Sequence, residues 1–326
     1  MPCRRWRRWP LLSWLSVGLL FHGVLLFVVL TRRPAPTNAG ARALGSPCRP
    51  DMAVRRLPPM SPEDHTMLAD LLMYLTRPDP RTCQKKLKFG GIPIRDRSAA
   101  YVDGHKYVCL DPELSLLTSD GCLVYSFGIS IDWSFDWDME AFGCTVHAFD
   151  PTIPAPNDSA GAGDVSFHQY GIGGRDGVLE NSDAQLRTLE TLVDRLGHRQ
   201  SVIHYLKLDV EDGEWAVFQQ QAELDARSVL AENVEQLGVE LHFMDHQPAE
   251  QHVTFYREVY RSLLALQELG FYLFWSEPNP LQRPEWAVPG LEQNITYAME
   301  VVWLKARCIE DAYLEFTGED MDKTIK

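Results

Sequence analysis

From residue 122 onward, short runs of apolar residues alternate with segments in which apolar residues recur every three or four positions. The short runs predict buried β-strands, because strands covered on both faces carry apolar residues at almost every position. The predicted strands are 122–127, 144–149, 165–170, 202–208, one within 234–243, 270–275 and 296–304. The periodic segments predict helices, which are 133–142, 183–197, 213–225 and 250–269.

Strands that alternate with helices predict a mostly parallel sheet covered on both faces. No helical segment separates the last two strands, so the last strand is expected to run antiparallel. The fold class is therefore α/β, with a seven-stranded, mostly parallel sheet in a domain over 121–305. Residues 306–326 are left as a C-terminal tail.

A helix signal precedes this domain. The segment SPED at 61–64 places a capping serine, a proline and two acids at a helix start. Apolar residues follow at helical spacing from Met67 to Leu75. We therefore expect 61–120 to form a short helical extension whose first helix packs on the main domain as a lid or brace.

Residues 10–30 carry no formal charge apart from a possible one on His22, and they are long enough to cross a bilayer as a helix. Four arginines precede the run and two follow it, which favours a cytosolic N-terminus and a lumenal body. We expect a cytoplasmic tail over 1–9, a transmembrane signal anchor over 10–30 and a stem over 31–60. Such a chain is a single-pass type II protein of the Golgi or another secretory-pathway membrane. The alternative is a signal peptide cleaved near Ala39–Ala41, which would give a secreted protein.

The charge balance argues against nucleic-acid binding. The net charge is −14, and the first 33 residues hold six arginines and no acid, so the remainder holds −20. Cys3 would lie beside the membrane in the cytosol, where palmitoylation is possible. The other six cysteines are an even number, which permits lumenal disulfides. Asn157 and Asn294 begin glycosylation tripeptides.

Candidate binding residues follow the ends of successive predicted strands, where ligands sit in open α/β sheets. Gly128 follows the first strand, and Asp150 ends the second, 22 residues later. An acid at about that distance from a glycine turn is placed to accept hydrogen bonds from a ribose. The third strand ends at a glycine turn that contains Gly171 and Ile172, and the fourth ends at Asp209.

The first strand-end loop favours one cofactor over another. The stretch GISIDW at 128–133 lacks the second and third glycines with which a dinucleotide site holds pyrophosphate. S-adenosyl-L-methionine has a ribose and an adenine but no phosphate, so one glycine and an acid suffice. Each residue alone also has a structural interpretation, with Gly128 as a turn and Asp132 as the cap of the next helix.

Four stretches taken in order resemble the class I methyltransferases of the FkbM type. They are VYSFGISIDWSF at 124–135, GCTVHAFDPT at 143–152, YLKLDVEDGEW at 205–215 and VELHF at 239–243. The resemblance covers roughly 80–305 and implies a Rossmann-like sheet with S-adenosyl-L-methionine as methyl donor. The expected cofactor contacts are Phe127, Gly128, Ser130, Asp132, Asp150, Gly171, Ile172 and Asp209.

Two departures from the family pattern bear on activity. Ser130 and Ile131 stand in the region where the family's first loop has a second glycine. Asp212 is inserted before Gly213, where the family reads DVEG.

Methyl transfer to a hydroxyl requires a base. Strand alternation puts Glu240 and His242 on one side of the fifth strand, beside Asp209 at the end of the fourth. We expect His242 to act as the base, Glu240 to orient it, and Asp209 to hold cofactor or acceptor. The acceptor is expected to be a hydroxyl of a glycan or a small molecule.

Three alternatives stay open at this point. Asp136 and Asp138 could form the DxD metal site of a lumenal glycosyltransferase, although residues two apart on a helix face different sides and we interpret both as solvated helix-start charges. The domain could also be a non-catalytic binding module, because fold does not fix function. No metal site is predicted, and the histidines and aspartates that could form one are His242, Asp245, His246 and His252.

Overall fold

The computed structural model describes the chain from the stem to the last strand, with gaps. The described residues are 49, 51–95, 100–112, 114–117, 121–154, 163–179, 182–243, 249–279 and 298–306. Within this part, no helix combines the length and the apolar character needed to cross a bilayer. The segment 10–30, Cys3, Asn157 and Asn294 lie outside it.

The N-terminal extension is only partly helical, so the expectation of a helical extension is wrong. Its helix α1 (Asp64–Thr76) begins where the sequence predicted a helix start. Four short strands follow, which are β1 (Lys86–Phe89), β2 (Ile92–Arg95), β3 (Ala100–Asp103) and β4 (Lys106–Cys109). β1 pairs with β4 and β2 with β3, both antiparallel, so the extension is helical only in its first part.

The central sheet has seven strands. They are β5 (Cys122–Phe127), β6 (Cys144–Phe149), β7 (Ser166–His168), β11 (Tyr205–Leu208), β12 (Gln236–His242), β13 (Phe271–Pro278) and β14 (Ala298–Lys305). Their order across the sheet is β13-β14-β12-β11-β5-β6-β7. Every residue of β5, β11 and β12 is buried, as expected for strands with helices on both faces.

The last strand confirms the predicted reversal of direction. β14 lies between β12 and β13 and runs antiparallel to both. Its insertion puts Glu300 directly opposite Glu240 on one side and Glu277 on the other. Three carboxylates are thereby brought together from distant parts of the sequence.

Five further helices cover the sheet or connect its strands. They are α2 (Ser134–Phe142), α3 (Leu189–Leu196), α4 (Glu214–Leu224), α5 (Val229–Asn233) and α6 (Ala249–Glu268). α1 packs on α6 and β13, and Tyr74 accepts a hydrogen bond from Trp303 Nε1 at 3.0 Å. Since its apolar side chains belong to the main core, α1 is a brace.

The region between β6 and α3 differs from the prediction. The third strand of the central sheet is shorter than expected, and three small strands form a separate sheet in the order β8-β10-β9. They are β8 (Gly171–Ile172), β9 (Gly177–Val178) and β10 (Gln185–Arg187). Residues 185–187 were predicted to be helical, but Thr188 caps α3 by accepting a hydrogen bond from the Thr191 amide at 3.2 Å.

Among the described residues, two disulfides join neighbouring elements. Cys122 and Cys144 face each other across β5 and β6, and Cys83 is bonded to Cys109 at the end of β4. The even cysteine count predicted that such bonds were possible but not which residues would pair. Cys48 and Cys308 lie outside the described residues.

Candidate active site

A cavity of about 990 Å³ opens at the carboxyl ends of β5, β6, β11 and β12. Three regions contribute lining residues: the first strand-end loop, the small sheet around β8, and the β2–β3 hairpin of the extension. A volume near the upper end of the range for small-molecule sites leaves room for a cofactor and an acceptor together. The residues predicted at the strand ends therefore do lie around one cavity. The sequence did not predict that residues of the N-terminal extension would also line it.

Gly128 is required by the chain rather than by a ligand. Its φ of +77° is a conformation that side chains rarely adopt. A Cβ atom at this position would also lie 1.6 Å from the Asp209 carbonyl oxygen. The glycine thus lets the ends of β5 and β11 approach each other; it also lines the cavity, and its contact with a cofactor stays a prediction.

Asp150 fixes the first strand-end loop. Its Oδ2 accepts hydrogen bonds from the amides of Ile129 and Ser130 at 3.0 and 2.9 Å. Its Oδ1 accepts two from Thr152, from the amide at 2.8 Å and from the hydroxyl at 2.6 Å. Burial opposes ionisation, but these bonds outweigh it and hold the pKa of Asp150 below its ordinary value. Because a carboxylate accepts about four hydrogen bonds, a ribose would have to replace one of these partners.

Asp132 combines the two roles that the sequence left open. Its Oδ1 accepts a hydrogen bond from the Ser134 amide at 2.8 Å and so supports the start of α2. The residue lines the cavity, but its Oδ2 is buried against Gly104 and has no hydrogen-bond partner among the described atoms. A buried carboxylate oxygen without a partner is costly unless a donor or cation arrives there.

The floor of the cavity beside this loop is apolar. The rings of Phe127 and Phe149 stack with centroids 4.4 Å apart. Ile172 and Leu186 from the small sheet extend this surface, and Gly171 packs against Pro151 and Leu186. The predicted contacts Phe127, Gly171 and Ile172 therefore do line one cavity with the glycine loop.

Asp209 lies between two lysines. Its Oδ2 is 3.6 Å from Lys207 Nζ and 3.7 Å from Lys106 Nζ. Burial would raise the pKa of Asp209, but the two ammonium groups outweigh it and hold the pKa below the ordinary value. Lys207 also donates to the Gly128 carbonyl at 2.7 Å, so it links this acid to the first loop.

Lys106 belongs to β4 of the extension and is buried among acids of the sheet. Its Nζ lies 2.6 Å from Glu300 Oε1. Burial disfavours its charge, but Glu300, Asp209 and Glu240 outweigh this effect and raise its pKa. Burial raises the pKa of Glu300 to about 8. The charge of Lys106 opposes this shift, and the charges of Glu240 and Asp209 add to it.

Glu240 faces the cavity beside Asp209. Asn279 Nδ2 donates to its Oε1 at 2.5 Å and orients the carboxyl group. Burial and the charge of Asp209 raise the pKa of Glu240 above its ordinary value. A cavity-lining carboxylate with a raised pKa is better suited to accept a proton than an ordinary surface glutamate.

His242 does not fit the role of base that the sequence predicted. It is 1% exposed and lies behind Glu240. Its Nδ1 is 3.2 Å from Glu214 Oε1, and its Nε2 is 3.8 Å from Glu240 Oε1. Burial would lower the pKa of His242, but the bond to Glu214 and the charges of Glu214, Glu240 and Glu211 raise it to about 9. A ring whose pKa is raised this far is a poor proton acceptor near neutral pH.

The two acids of the DxD stretch face different directions. Asp138 is exposed and accepts a hydrogen bond from the Gly90 amide at 2.7 Å. Asp136 is 1% exposed, so the interpretation of both acids as solvated is wrong for this one. Burial, opposed by the charge of Lys207, raises the pKa of Asp136 to about 6. Because the two acids do not converge, they offer no shared metal site.

A family model described as a methyltransferase domain matches residues 69–286. The chain belongs to this methyltransferase-domain family. Two similar curated proteins are the probable methyltransferase-like protein 24 of Homo sapiens and of Rattus norvegicus. They are 26% and 25% identical over 213 residues, which are 61% of this chain and 55% and 56% of theirs. The chain thus spans about half the length of these relatives.

A solved structure is also similar, namely the crystal structure of methyltransferase FkbM from Methylobacillus flagellatus. The identity is 12%, the match covers 56% of this chain and 44% of that one, and the TM-score is 0.31. The family assignment therefore rests on the domain match and confirms the resemblance to methyltransferases that the motifs carried.

This methyltransferase-domain protein departs from the family's sequence pattern at two places, and at both the backbone includes left-handed residues. Ser130 has a φ of +49° in the first loop, and Ile131 beside it is 87% exposed at the cavity rim. The inserted Asp212 and the preceding Glu211 have φ values of +74° and +52°. The chain absorbs the inserted residue in a turn, closed by a hydrogen bond from the Gly213 amide to the Val210 carbonyl at 3.2 Å.

Several residues of the site were missed from the sequence. Lys207 and Glu214 were not among the predicted site residues, but both are buried. Lys106 and Glu300 received no role at all. A signal was present, since Lys207 in YLKL and Glu300 in AMEVV are single charges inside apolar strands. A charge in that position requires a partner, which for Glu300 is Lys106 of β4 and for Lys207 is Asp209 with the Gly128 carbonyl.

Proposed function

We propose that this protein transfers the methyl group of S-adenosyl-L-methionine to a hydroxyl-bearing acceptor. The observation that carries this proposal is the single cavity in which the loop held by Asp150 meets the carboxylates Asp209 and Glu240. The membership of the chain in the methyltransferase-domain family supports it.

The residues present fit this cofactor. The apolar floor formed by Phe127, Phe149 and Ile172 suits an adenosine, which carries no phosphate charge. Asp132 lines the cavity and offers its carboxylate to the positively charged end of the molecule. Arg175 lines the same cavity and offers a cation to the methionine carboxylate. When bound, the cofactor supplies a methyl group on a sulfonium ion.

The protein's own groups would then act on the acceptor. Holding donor and acceptor in line supplies much of the rate acceleration in such a displacement. Glu240 replaces His242 as the proton acceptor, because Glu240 lines the cavity and the pKa of its carboxyl group is raised. Asp209, which is kept ionised by Lys207 and Lys106, holds a donor group of the cofactor or the acceptor.

Calorimetry on the purified full chain tests the cofactor. S-adenosyl-L-methionine should bind and NAD should not. Asp132→Asn should weaken binding by about 1.5–3 kcal/mol, because the charged hydrogen bond becomes a neutral one. Asp138→Asn is the matched control, since Asp138 is an exposed acid outside the cavity. Equal affinity for NAD, or an Asp132→Asn variant that binds like the control, would contradict the proposal.

Binding does not establish transfer, so the acceptor needs its own experiment. A screen of glycans, small molecules and proteins with a methyl-labelled donor should identify a labelled product. Glu240→Gln should reduce the rate at least about 100-fold, as expected when a general base is lost. Cofactor binding without any labelled product would instead favour a binding module.

We also infer that residues 10–30 anchor the protein in a secretory-pathway membrane with the body in the lumen. The disulfides Cys83–Cys109 and Cys122–Cys144 support this inference, because such bonds persist in oxidising compartments. Expression with tags at both ends in glycosylating cells is the test. Recovery of a secreted product that lacks its N-terminal tag would contradict the anchor.

A further inference from the structure

Three side chains at the ends of β11 and β12 offer one metal-ligand atom each in a small space. They belong to Asp209, Glu240 and His242, and their ligand atoms all lie within 4.8 Å of one another. We propose that these three residues, which we call the Asp209 cluster, bind a divalent cation of the Mn²⁺ class. The sequence had predicted no metal, and the alternative it offered was the set His242, Asp245, His246 and His252.

Neighbouring groups hold two of the three ligands in the orientation that coordination requires. Glu214 Oε1 lies 3.2 Å from His242 Nδ1, so Nε2 faces the other two carboxylates, Glu211 Oε2 at 3.5 Å and Glu240 Oε1 at 3.8 Å. Carboxylates that bind the second ring nitrogen are typical of metal-ligating histidines. Asn279 likewise orients Glu240 through its 2.5 Å hydrogen bond.

The cluster is bordered by Lys106 and Lys207, and also by two buried carboxylates that each keep one oxygen without a hydrogen-bond partner among the described atoms. Glu300 is 6% exposed and lies in register with Glu240, and its Oε2 has no hydrogen-bond partner among the described atoms. The Oε2 of Glu214, which is fully buried beside His242, has none either. Lys106 pairs only with the other oxygen of Glu300, and buried carboxylate oxygens without a donor are costly. They are an observation separate from the ligand distances, and they favour the same conclusion.

Lys106 does not saturate the cluster. Its ammonium group is paired with Glu300 Oε1 at 2.6 Å and stands 3.7 Å from Asp209 Oδ2, which is beyond hydrogen-bond reach. Lys207 stands 3.6 Å from the same oxygen and donates hydrogen bonds to the Phe127 and Gly128 carbonyls at 3.3 and 2.7 Å. Both lysines therefore lower the negative charge around Asp209 without occupying its ligand positions.

The ligand set indicates which cation would bind. Two carboxylate oxygens and one imidazole nitrogen form a mixed set, since carboxylates suit Mg²⁺, Ca²⁺ and Mn²⁺ whereas imidazole suits the transition metals. Mn²⁺ satisfies both preferences. Because Asp209 and Glu240 line the cavity while His242 lies behind them, the remaining coordination positions face the cavity.

Coordination positions that face the cavity restrict which acceptors could bind to the cation. This step rests on the proposed function. A cation open to the cavity would hold an acceptor with two neighbouring oxygens, such as a vicinal diol. Coordination through one oxygen of Glu240 leaves the other oxygen free to accept the acceptor's proton. The cation would also lower the pKa of a hydroxyl bound to it.

Metal binding can be measured without cofactor or acceptor, so its outcome is independent of methyl transfer. The full chain, stripped with a chelator, is titrated with MnCl₂ alone by calorimetry. We expect one site with a dissociation constant in the micromolar range. Glu240→Gln and His242→Gln should each weaken binding at least about 100-fold, more than the loss of an outer-shell partner does. Asp138→Asn should bind like the wild type.

A second measurement uses only the wild-type chain, so it remains informative if a variant fails to fold. The pulsed electron paramagnetic resonance spectrum of Mn²⁺ bound to the wild-type chain should show coupling to an imidazole nitrogen. Absence of Mn²⁺ binding at millimolar concentration, equal affinity in the Glu240→Gln variant, or binding without nitrogen coupling would each overturn the proposal. Loss of S-adenosyl-L-methionine binding with Mn²⁺ binding intact would overturn the proposed function alone.

Discussion

Histidines occupy two regions of the same sheet, and their surroundings have opposite effects. His242, at the carboxyl end of β12, is surrounded by Glu214, Glu240 and Glu211, and its pKa rises to about 9. At the β7 edge, His147 Nδ1 lies 2.9 Å from His168 Nε2. Burial and the charges of two other histidines lower the pKa of His147 to about 4.

The difference lies in the neighbours, because both regions bury imidazole rings. At the edge, the rings pack on aromatic and histidine rings: His168 stacks on Phe149, and Tyr125 Oη lies 2.8 Å from His198 Nδ1. We call His147, His168 and His198 the edge cluster. Its rings are neutral near pH 7, whereas the carboxylates at the end of β12 keep His242 charged. A histidine in the sequence therefore has no defined charge until its non-local neighbours are known.

The largest expected effect comes from removing the central cation of the charged region. Lys106→Met should lower the free energy of unfolding by about 3–5 kcal/mol, because it leaves Glu300 and its neighbours without their buried partner. Urea denaturation at pH 8 measures this loss. Lys88→Met is the matched control, since Lys88 is exposed on the paired strand β1. Equal losses in both variants would show that Lys106 is not a partner of the buried acids.

Raising the pH should destabilise the protein through His242. Its pKa in the folded state, about 9, exceeds the unfolded value of about 6.5. The folded state therefore binds more protons between these values, and stability falls as pH rises through this window. The contribution is about 3 kcal/mol, because one pKa unit corresponds to about 1.4 kcal/mol. The pKa of Glu300, about 8, acts in the same direction below pH 8.

His242→Gln separates the two contributions. Melting temperatures of the variant should depend less steeply on pH between 6.5 and 9 than those of the wild type. The same pH dependence in both proteins would rule out His242 as the charged group.

Lowering the pH should destabilise the protein through the edge cluster. The pKa of His147 in the folded state, about 4, lies below the unfolded value. The unfolded state then binds more protons between pH 6.5 and 4, so stability is lost as the pH falls. Because the ring is partly exposed and solvent screens it, we expect roughly 1–2 kcal/mol. His147→Gln should flatten this part of the stability curve and leave the alkaline part unchanged. A variant that is as acid-sensitive as the wild type would contradict the assignment.

The same contrast explains how much could be predicted from the sequence. The strands, the reversed direction of β14 and the meeting of Gly128, Asp150 and Asp209 at one cavity could be predicted from the sequence. Each of these features depends on a short stretch of residues and on a general rule of α/β sheets. The charge state of His242 depends on Glu214 and Glu240, which approach it through folding. A base was therefore predicted where the structure has a cation.

Two other failures have the same physical origin. The segment 185–187 has helical periodicity, but pairing with β8 and β9 outweighs this weak local preference. Lys106 reaches the carboxylates because the β1–β4 hairpin of the extension packs against the central sheet. The local sequence KYVC does not predict that Lys106 contacts Glu300, because Glu300 lies 194 residues away from Lys106 in the sequence.

The smallest expected effect tests a single contact of the edge cluster. Tyr125→Phe removes the hydroxyl that lies 2.8 Å from His198 Nδ1 and keeps the ring that packs on Phe149. The free energy of unfolding should fall by about 0.5–1.5 kcal/mol, the usual value of a neutral hydrogen bond. Tyr107→Phe on β4 is the matched control, because its ring lies outside the edge cluster. Chemical shifts of the His198 ring should move in the first variant and stay in place in the second. If the shifts do not move, the edge cluster is held by ring packing, and its neutral charge state would follow from burial without the tyrosine hydroxyl.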